Sequence, residues 1–226
     1  MIEYFKRQIE LWGKEVQASL QERSVAIIGA GGLGSSLALA VGSCGIGRIE
    51  IVDFDEVEIH NIHRQISFRL DDVSKSKSVV NAKLIEQRSK YTKVIAHVCG
   101  FDEWAKKGIE VDLILDATDN LDVRAEIDRY AKEHKIGWVY GSVELFNAQV
   151  CFFQDSSFSD IFKLSESKNK GIATPMVMNT ASLQANLALR YLAGLSVKSD
   201  TLYYLYFDEG GEFIVQKFKL PKASQQ

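Results

Sequence analysis

The chain lacks paired cysteines, an excess of positive charge, a proline-rich segment and any long apolar run, and each absence removes a class of protein. Its three cysteines, Cys44, Cys99 and Cys151, are far apart and form no C-x-x-C pair. That spacing excludes a structural zinc held by thiolates and gives no support to a disulfide framework. Each cysteine reads as a small buried hydrophobe, Cys44 at a helix end and the other two in strand-like runs. With 27 Lys and Arg against 30 Asp and Glu, the net charge is -3, and the isoelectric point is near 5.9. No broad cationic field is available for nucleic acid. Two prolines in 226 residues leave no room for a proline- and glycine-rich linker. No internal repeat is visible, so one domain over residues 1–226 is expected. No stretch approaches the roughly 18 apolar residues that a bilayer requires. The opening MIEYFKRQIELWGKEVQ has neither the apolar core nor the cleavage site of a signal peptide. A cytoplasmic protein without membrane contact is therefore expected.

What is present alternates between two periodicities. Ile2, Phe5, Ile9 and Trp12 recur at helical spacing and predict an amphipathic helical arm within residues 1–22. SVAIIG reads as a buried strand, Leu33 to Cys44 as the following helix, and RIEIVDF as a second strand. DEVEIHNIHRQISF is then a long polar loop, and Ser74 is placed to cap a helix carrying Lys77 and Lys83. KVIAHV and VDLILDA predict two more strands, and Asn120 is placed to cap a helix through Tyr130 and His134. GWVYGS and AQVCFFQ are further strand candidates. Residues 155–171 are polar and patternless, which predicts a flexible crossover loop over the site. Pro175 opens a long helical pattern to Leu195, and TLYYLYFD with EFIVQKFKL predicts a terminal antiparallel hairpin. The fold class is thus α/β: a Rossmann-like, mostly parallel sheet with helices on both faces, N-terminal helices and a C-terminal antiparallel extension.

The candidate site begins at Gly29-x-Gly31-x-x-Gly34, between the first strand and its helix. Gly29 and Gly31 let backbone approach phosphates, Gly34 permits close helix–strand packing, and the helix N-terminus favours an anion. Asp53 stands where a ribose would be bound. A dehydrogenase satisfies all of this. Arg64 and Lys77 break the tie, because a nicotinamide slot has no use for extra cations whereas a triphosphate does. Asp116, Asp119 and Asn120 follow a strand beside the loop, in a position that suits Mg²⁺ coordination.

FKRQIELWG, VAIIGAGGLGSS, IVDFDEVEIHNIHRQ, SKSKSVVNAK, LILDATDN with Arg124 shortly after, and GSVELFNAQVCFF together resemble the ThiF/MoeB/HesA family, the bacterial relatives of ubiquitin-activating enzymes. The match extends more weakly through GIATPMVMNTASLQANLALRYLAG. The resemblance implies adenylation: ATP and Mg²⁺ are bound, and the C-terminal glycine carboxylate of a ubiquitin-like sulfur carrier with a Gly-Gly end is converted to its acyl-adenylate. Such carriers, of the ThiS or MoaD type, serve thiamine or molybdopterin synthesis. By the same resemblance Asp53 binds the ribose, Arg64 and Lys77 contact the phosphates, Asn61 and Gln65 support them, and Asp119 binds Mg²⁺. Gly29, Gly31, Gly32, Gly34, Asp55 and Asn120 complete the nucleotide set. Arg7 matches an arginine that reaches the phosphates from the other subunit, which implies a homodimer. Two departures stand out. The family's zinc cysteines are missing, so no zinc is expected. SESKNKGIATP carries no cysteine, so a separate protein is expected to deliver sulfur. Other readings stay open at this point: activation of a carboxylate on a modified tRNA nucleoside, a non-catalytic carrier-docking module, and an oxidoreductase.

Overall fold

Strands form where branched aliphatic residues run together, and helices where small and apolar residues recur every third or fourth position. The computed structural model describes residues 2–162 and 171–223. Its elements begin with α1 (Lys6–Ser19), β1 (Ser24–Ile28), α2 (Gly32–Val41), β2 (Arg48–Val52), α3 (Lys77–Arg88) and β3 (Lys93–His97). They continue with α4 (Phe101–Ala105), β4 (Leu113–Asp116), α5 (Leu121–His134), β5 (Gly137–Glu144) and β6 (Asn147–Phe153). The last are α6 (Phe158–Ile161), α7 (Thr174–Leu192), β7 (Thr201–Phe207) and β8 (Phe213–Lys219).

All eight strands join one sheet in the order β3-β2-β1-β4-β5-β6-β7-β8. From β3 to β5 the neighbours are parallel, and from β5 to β8 they are antiparallel. The expected mostly parallel sheet with an antiparallel extension is therefore what forms. Both faces are covered, and successive residues of a strand serve opposite faces. Val25 and Ile27 pack with Leu37 of α2, Ile85 of α3 and Ala181 of α7. Ala26 and Ile28 pack with Trp104 of α4, Ile127 of α5 and Phe158 of α6. A strand buried on both sides reads as a continuous apolar run, which is why SVAII is legible as central.

Several boundaries move. The opening helix buries Phe5 but leaves Ile2 exposed, and Gly13 kinks it at a φ of +87°. Helix α2 stops at Val41, and β2 stops at Val52, so Asp53 lies just beyond its strand. Ser76, not Ser74, occupies the N-cap position of α3. Ser74 is held at a φ of +66°, donating its N–H to the Val57 carbonyl, and the bridge between Glu56 and Ser76 delays the helix by two residues. The polar loop after β2 contains a 3-10 turn at Ile59–Asn61. Cys99 and Cys151 are buried, whereas Cys44 is partly exposed beyond the end of α2. Within the expected crossover loop, α6 buries Phe158 among Trp138, Tyr140 and Phe153. Asp128 of α5 fixes it by accepting from Ser157 Oγ and the Phe158 N–H, each at 3.1 Å. Residues 163–170 of that loop lie outside the described residues.

Candidate active site

The site lies where β1, β2, β3 and β4 end, at the point where chain order reverses across β1 and β4. Its floor is the glycine loop. Gly29 adopts a φ of +93°, and a Cβ there would stand 2.7 Å from the Ala117 carbonyl oxygen. A Cβ on Gly34 would stand 2.0 Å from the Gly29 carbonyl oxygen. Only glycine lets the loop fold this tightly against β4 and under its own helix. No side chain caps α2, leaving its first N–H groups without a side-chain partner, and Gly31 and Gly32 at its start line the cavity.

A cavity of about 1070 Å³ opens over this floor. It is lined by Gly29, Gly31, Gly32, Asp53, Asp55, Asn61, Arg64, Gln65, Lys77, Asp119 and Asn120. Of the expected site residues, Gly34, Asp116 and Arg7 are not in the wall. Gly34 lies beneath the loop. Arg7 is 91% exposed on α1 and pairs with Glu10 at 2.8 Å. Its helix packs at the far end of α2, where Gln8 donates to the Cys44 carbonyl at 3.0 Å.

Asp53 braces the loop, accepting the Ala30 N–H at 2.6 Å on Oδ2 and the Asp55 N–H at 2.7 Å on Oδ1. Burial nevertheless pushes its carboxyl above the ordinary range, against those two N–H groups and the charge of Lys77. Lys77, the first residue of α3, is buried and donates to Asp55 Oδ2 at 2.8 Å. Arg64 donates to the His60 carbonyl at 2.9 Å and lies 3.0 Å from the ring nitrogen of His63. No carboxylate pairs with it among the described residues. Asn61 accepts the Glu58 N–H at 3.0 Å. Gln65 is buried beside Gly31, and its Oε1 has no hydrogen-bond partner among the described residues. Asp119 is exposed at the rim and has no partner among the described residues.

Two acidic and amide positions take other work. Asp116 is fully buried and does not reach the cavity as a metal ligand. It accepts from Arg124 Nε at 3.1 Å and from the Thr118 N–H and hydroxyl at 2.9 and 2.7 Å. Burial pushes this carboxyl up, and the Arg124 guanidinium and the Thr118 donors oppose the shift. Asn120 does cap α5, with Oδ1 accepting from the Asp122 and Val123 N–H groups. It still borders the cavity.

Sequence reasoning gave no role to Arg124, Tyr140, Gln149 or Phe162. Arg124 bonds the Thr118 carbonyl and, at 3.0 Å, the Gly141 carbonyl, and stacks 5.0 Å from the Tyr140 ring. Tyr140 donates to Gln149 Oε1 at 3.0 Å and packs on Phe162. These residues wall the half of the cavity away from the glycine loop. A signal for Arg124 existed, since it shares a helical face with Ile127 and Ala131, both buried.

A profile of the ThiF family matches residues 5–226. The chain belongs to the ThiF family. Among its relatives, a maize adenylyltransferase and sulfurtransferase, MOCS3-1, is 40% identical over 131 residues, covering 55% of this chain and 27% of that protein. A sulfur carrier protein adenylyltransferase from Thermus thermophilus is 31% identical over 145 residues, 62% of this chain and 53% of that protein. The molybdopterin-synthase adenylyltransferase of Haemophilus influenzae is 26% identical over 233 residues, 96% of this chain and 94% of that protein. The chain thus spans about a quarter to a half of the length of several curated relatives. Among solved structures, PaaA superposes with a TM-score of 0.83 at 20% identity, covering 97% of this chain and 73% of that one. Escherichia coli MccB with ATP gives 0.81 at 19% identity, covering 92% and 66%. At those identities the likeness concerns the family's fold. Among the described residues no helix is long and apolar enough to cross a membrane, and no three His, Cys, Asp or Glu cluster for a metal.

Proposed function

We propose that this ThiF-family chain is an ATP-dependent adenylyltransferase acting on the C-terminal glycine carboxylate of a small ubiquitin-like sulfur carrier, in thiamine or molybdopterin synthesis. The observation that carries the reading is the pair of cations, Lys77 and Arg64, in one cavity with the glycine loop and the α2 N-terminus. The names of the Thermus and Haemophilus relatives support the substrate class. The residues fit a triphosphate nucleotide: Gly31 and Gly32 open the floor of the cavity beside Lys77 and Arg64, and Arg64 has no carboxylate partner among the described residues.

In this reading the carboxylate oxygen of the carrier attacks the α-phosphorus. The new bond joins acyl oxygen to phosphorus, the bond from the α-phosphorus to the bridging oxygen breaks, and its electrons leave with pyrophosphate. A carboxylate needs no general base, so positioning and charge stabilisation do the work. Lys77 and Arg64 neutralise phosphate oxygens, and the α2 N–H groups orient them. Each Asp53 oxygen keeps a lone pair for a ribose hydroxyl, Asn61 and Gln65 support the phosphate contacts of Arg64 and Lys77, and Asn120 borders the cavity with Asp55, which holds Lys77. Asp119 would hold Mg²⁺, whose charge screens the phosphates when bound. Arg7 does not line its own cavity and is exposed on α1, which favours a homodimer in which Arg7 of the partner subunit reaches the phosphates. In this reading sulfur comes from a separate donor: Cys151 is fully buried and its thiol is pushed far up by desolvation, and Cys99, although it borders the cavity, is itself buried. Cys44 is pushed up to about 11 for the same reason.

The test is ATP–pyrophosphate exchange with Mg²⁺, supplying in turn each Gly-Gly-ended small protein of the source organism. Exchange with one carrier is expected, falling about 100-fold or more in Lys77→Ala and in Asp119→Asn. Silence with every carrier overturns the reading.

A further inference from the structure

Lys77 stands in the cavity already paired. Its main-chain N–H donates to the Asp55 carbonyl at 2.9 Å and its ammonium to Asp55 Oδ2 at 2.8 Å. The partners differ in surroundings, for the Lys77 side chain is 8% exposed and that of Asp55 is 50% exposed. A buried ammonium on the first residue of a helix faces the positive end of the helix dipole and needs an anion close by. Asp55 is that anion here, and a triphosphate is a stronger one. Two anions crowding one ammonium repel each other, and the half-exposed carboxylate is the one that can turn into water. Its backbone would stay where it is, because the Asp55 N–H is held by Asp53 at 2.7 Å.

We infer that Asp55 competes with the phosphates for Lys77: it keeps the ammonium in the cavity between turnovers, yields it to the triphosphate, and recaptures it as pyrophosphate leaves. The inference rests on the nucleotide reading above. Asp55 acts through Lys77 and is a positioning residue. The consequence is a split between KM and kcat. A neutral side chain at position 55 removes the competitor, so ATP and pyrophosphate both bind more tightly. KM for ATP falls, and kcat falls as well because pyrophosphate is released more slowly. Adenosine carries no phosphate and is unaffected.

The experiment is isothermal titration of the full chain with ATP, pyrophosphate and adenosine, in the wild type, Asp55→Asn and Asp55→Glu. The Asn variant is expected to bind ATP and pyrophosphate about fivefold more tightly with adenosine unchanged, and the Glu variant to restore wild-type values. Asp55→Ser must act in the same direction as Asn, so a misfolded Asn protein leaves the question answerable. Wild-type ATP affinity in both neutral variants overturns the inference, as does weaker ATP binding with adenosine binding unchanged. A wild-type chain that binds none of the three overturns the nucleotide reading itself, and the inference with it.

Discussion

Asp53 accepts two backbone N–H groups and still has its carboxyl raised, because desolvation outweighs them. The sign of the pH effect follows. A carboxyl raised in the folded chain holds its proton more tightly there than in the unfolded chain. Its stabilising contribution is therefore present below the ordinary value and lost as pH rises through the raised one. Asn at this position does not titrate. Between about pH 7 and about pH 4, the Tm of the wild type relative to Asp53→Asn should move in favour of the wild type, by on the order of 2 °C. A constant difference across thermal melts would contradict the assignment. At this scale Gly29, Gly31, Gly32, Asp53, Arg64 and Lys77, singled out by type and spacing, do line one cavity. Asp116 was misread as metal-facing, since nothing local to LILDATDN says which way a strand-end carboxylate points.

Helix α5 shows how an element carries a site without touching chemistry. Asn120 starts it, and the first inward turn delivers Arg124 onto Asp116, the Thr118 carbonyl and the Gly141 carbonyl. One guanidinium thereby ties the end of β4 to β5 beneath the cavity. Arg124→Ala would leave Asp116 buried and uncompensated, and should cost about 3–5 kcal/mol in urea denaturation. Adding Asp116→Asn should recover part of that loss, whereas simple additivity would argue against the pairing. The cap was legible because Asn before a helix has one local job. The expected cap at Ser74 failed for the opposite reason: a bridge between Glu56 and Ser76, set by the fold of the whole polar loop, decides where α3 begins.

For the whole molecule, the separation of Arg7 from the cavity is the feature with most consequence. Helix α1 is anchored near Cys44, at the opposite end of α2 from the glycine loop, and Arg7 is not in the wall of the cavity. If two copies share their sites, Arg7→Ala and Lys77→Ala chains should each be inactive in pyrophosphate exchange. Mixed after mild dissociation, they should regain about a quarter of wild-type activity, since half the dimers would hold one intact site. No recovery on mixing would count against the shared site.

By itself the sequence determined the alternation of strands and helices, the glycine loop and the terminal hairpin. Each depends on periodicity or on a backbone demand within a few residues. Only the tertiary structure decided that Asp116 belongs to Arg124, that Asp55 occupies Lys77, and that Arg7 lies away from its own cavity. Those outcomes join residues from separate elements, and burial, not spacing along the chain, determines which charge meets which.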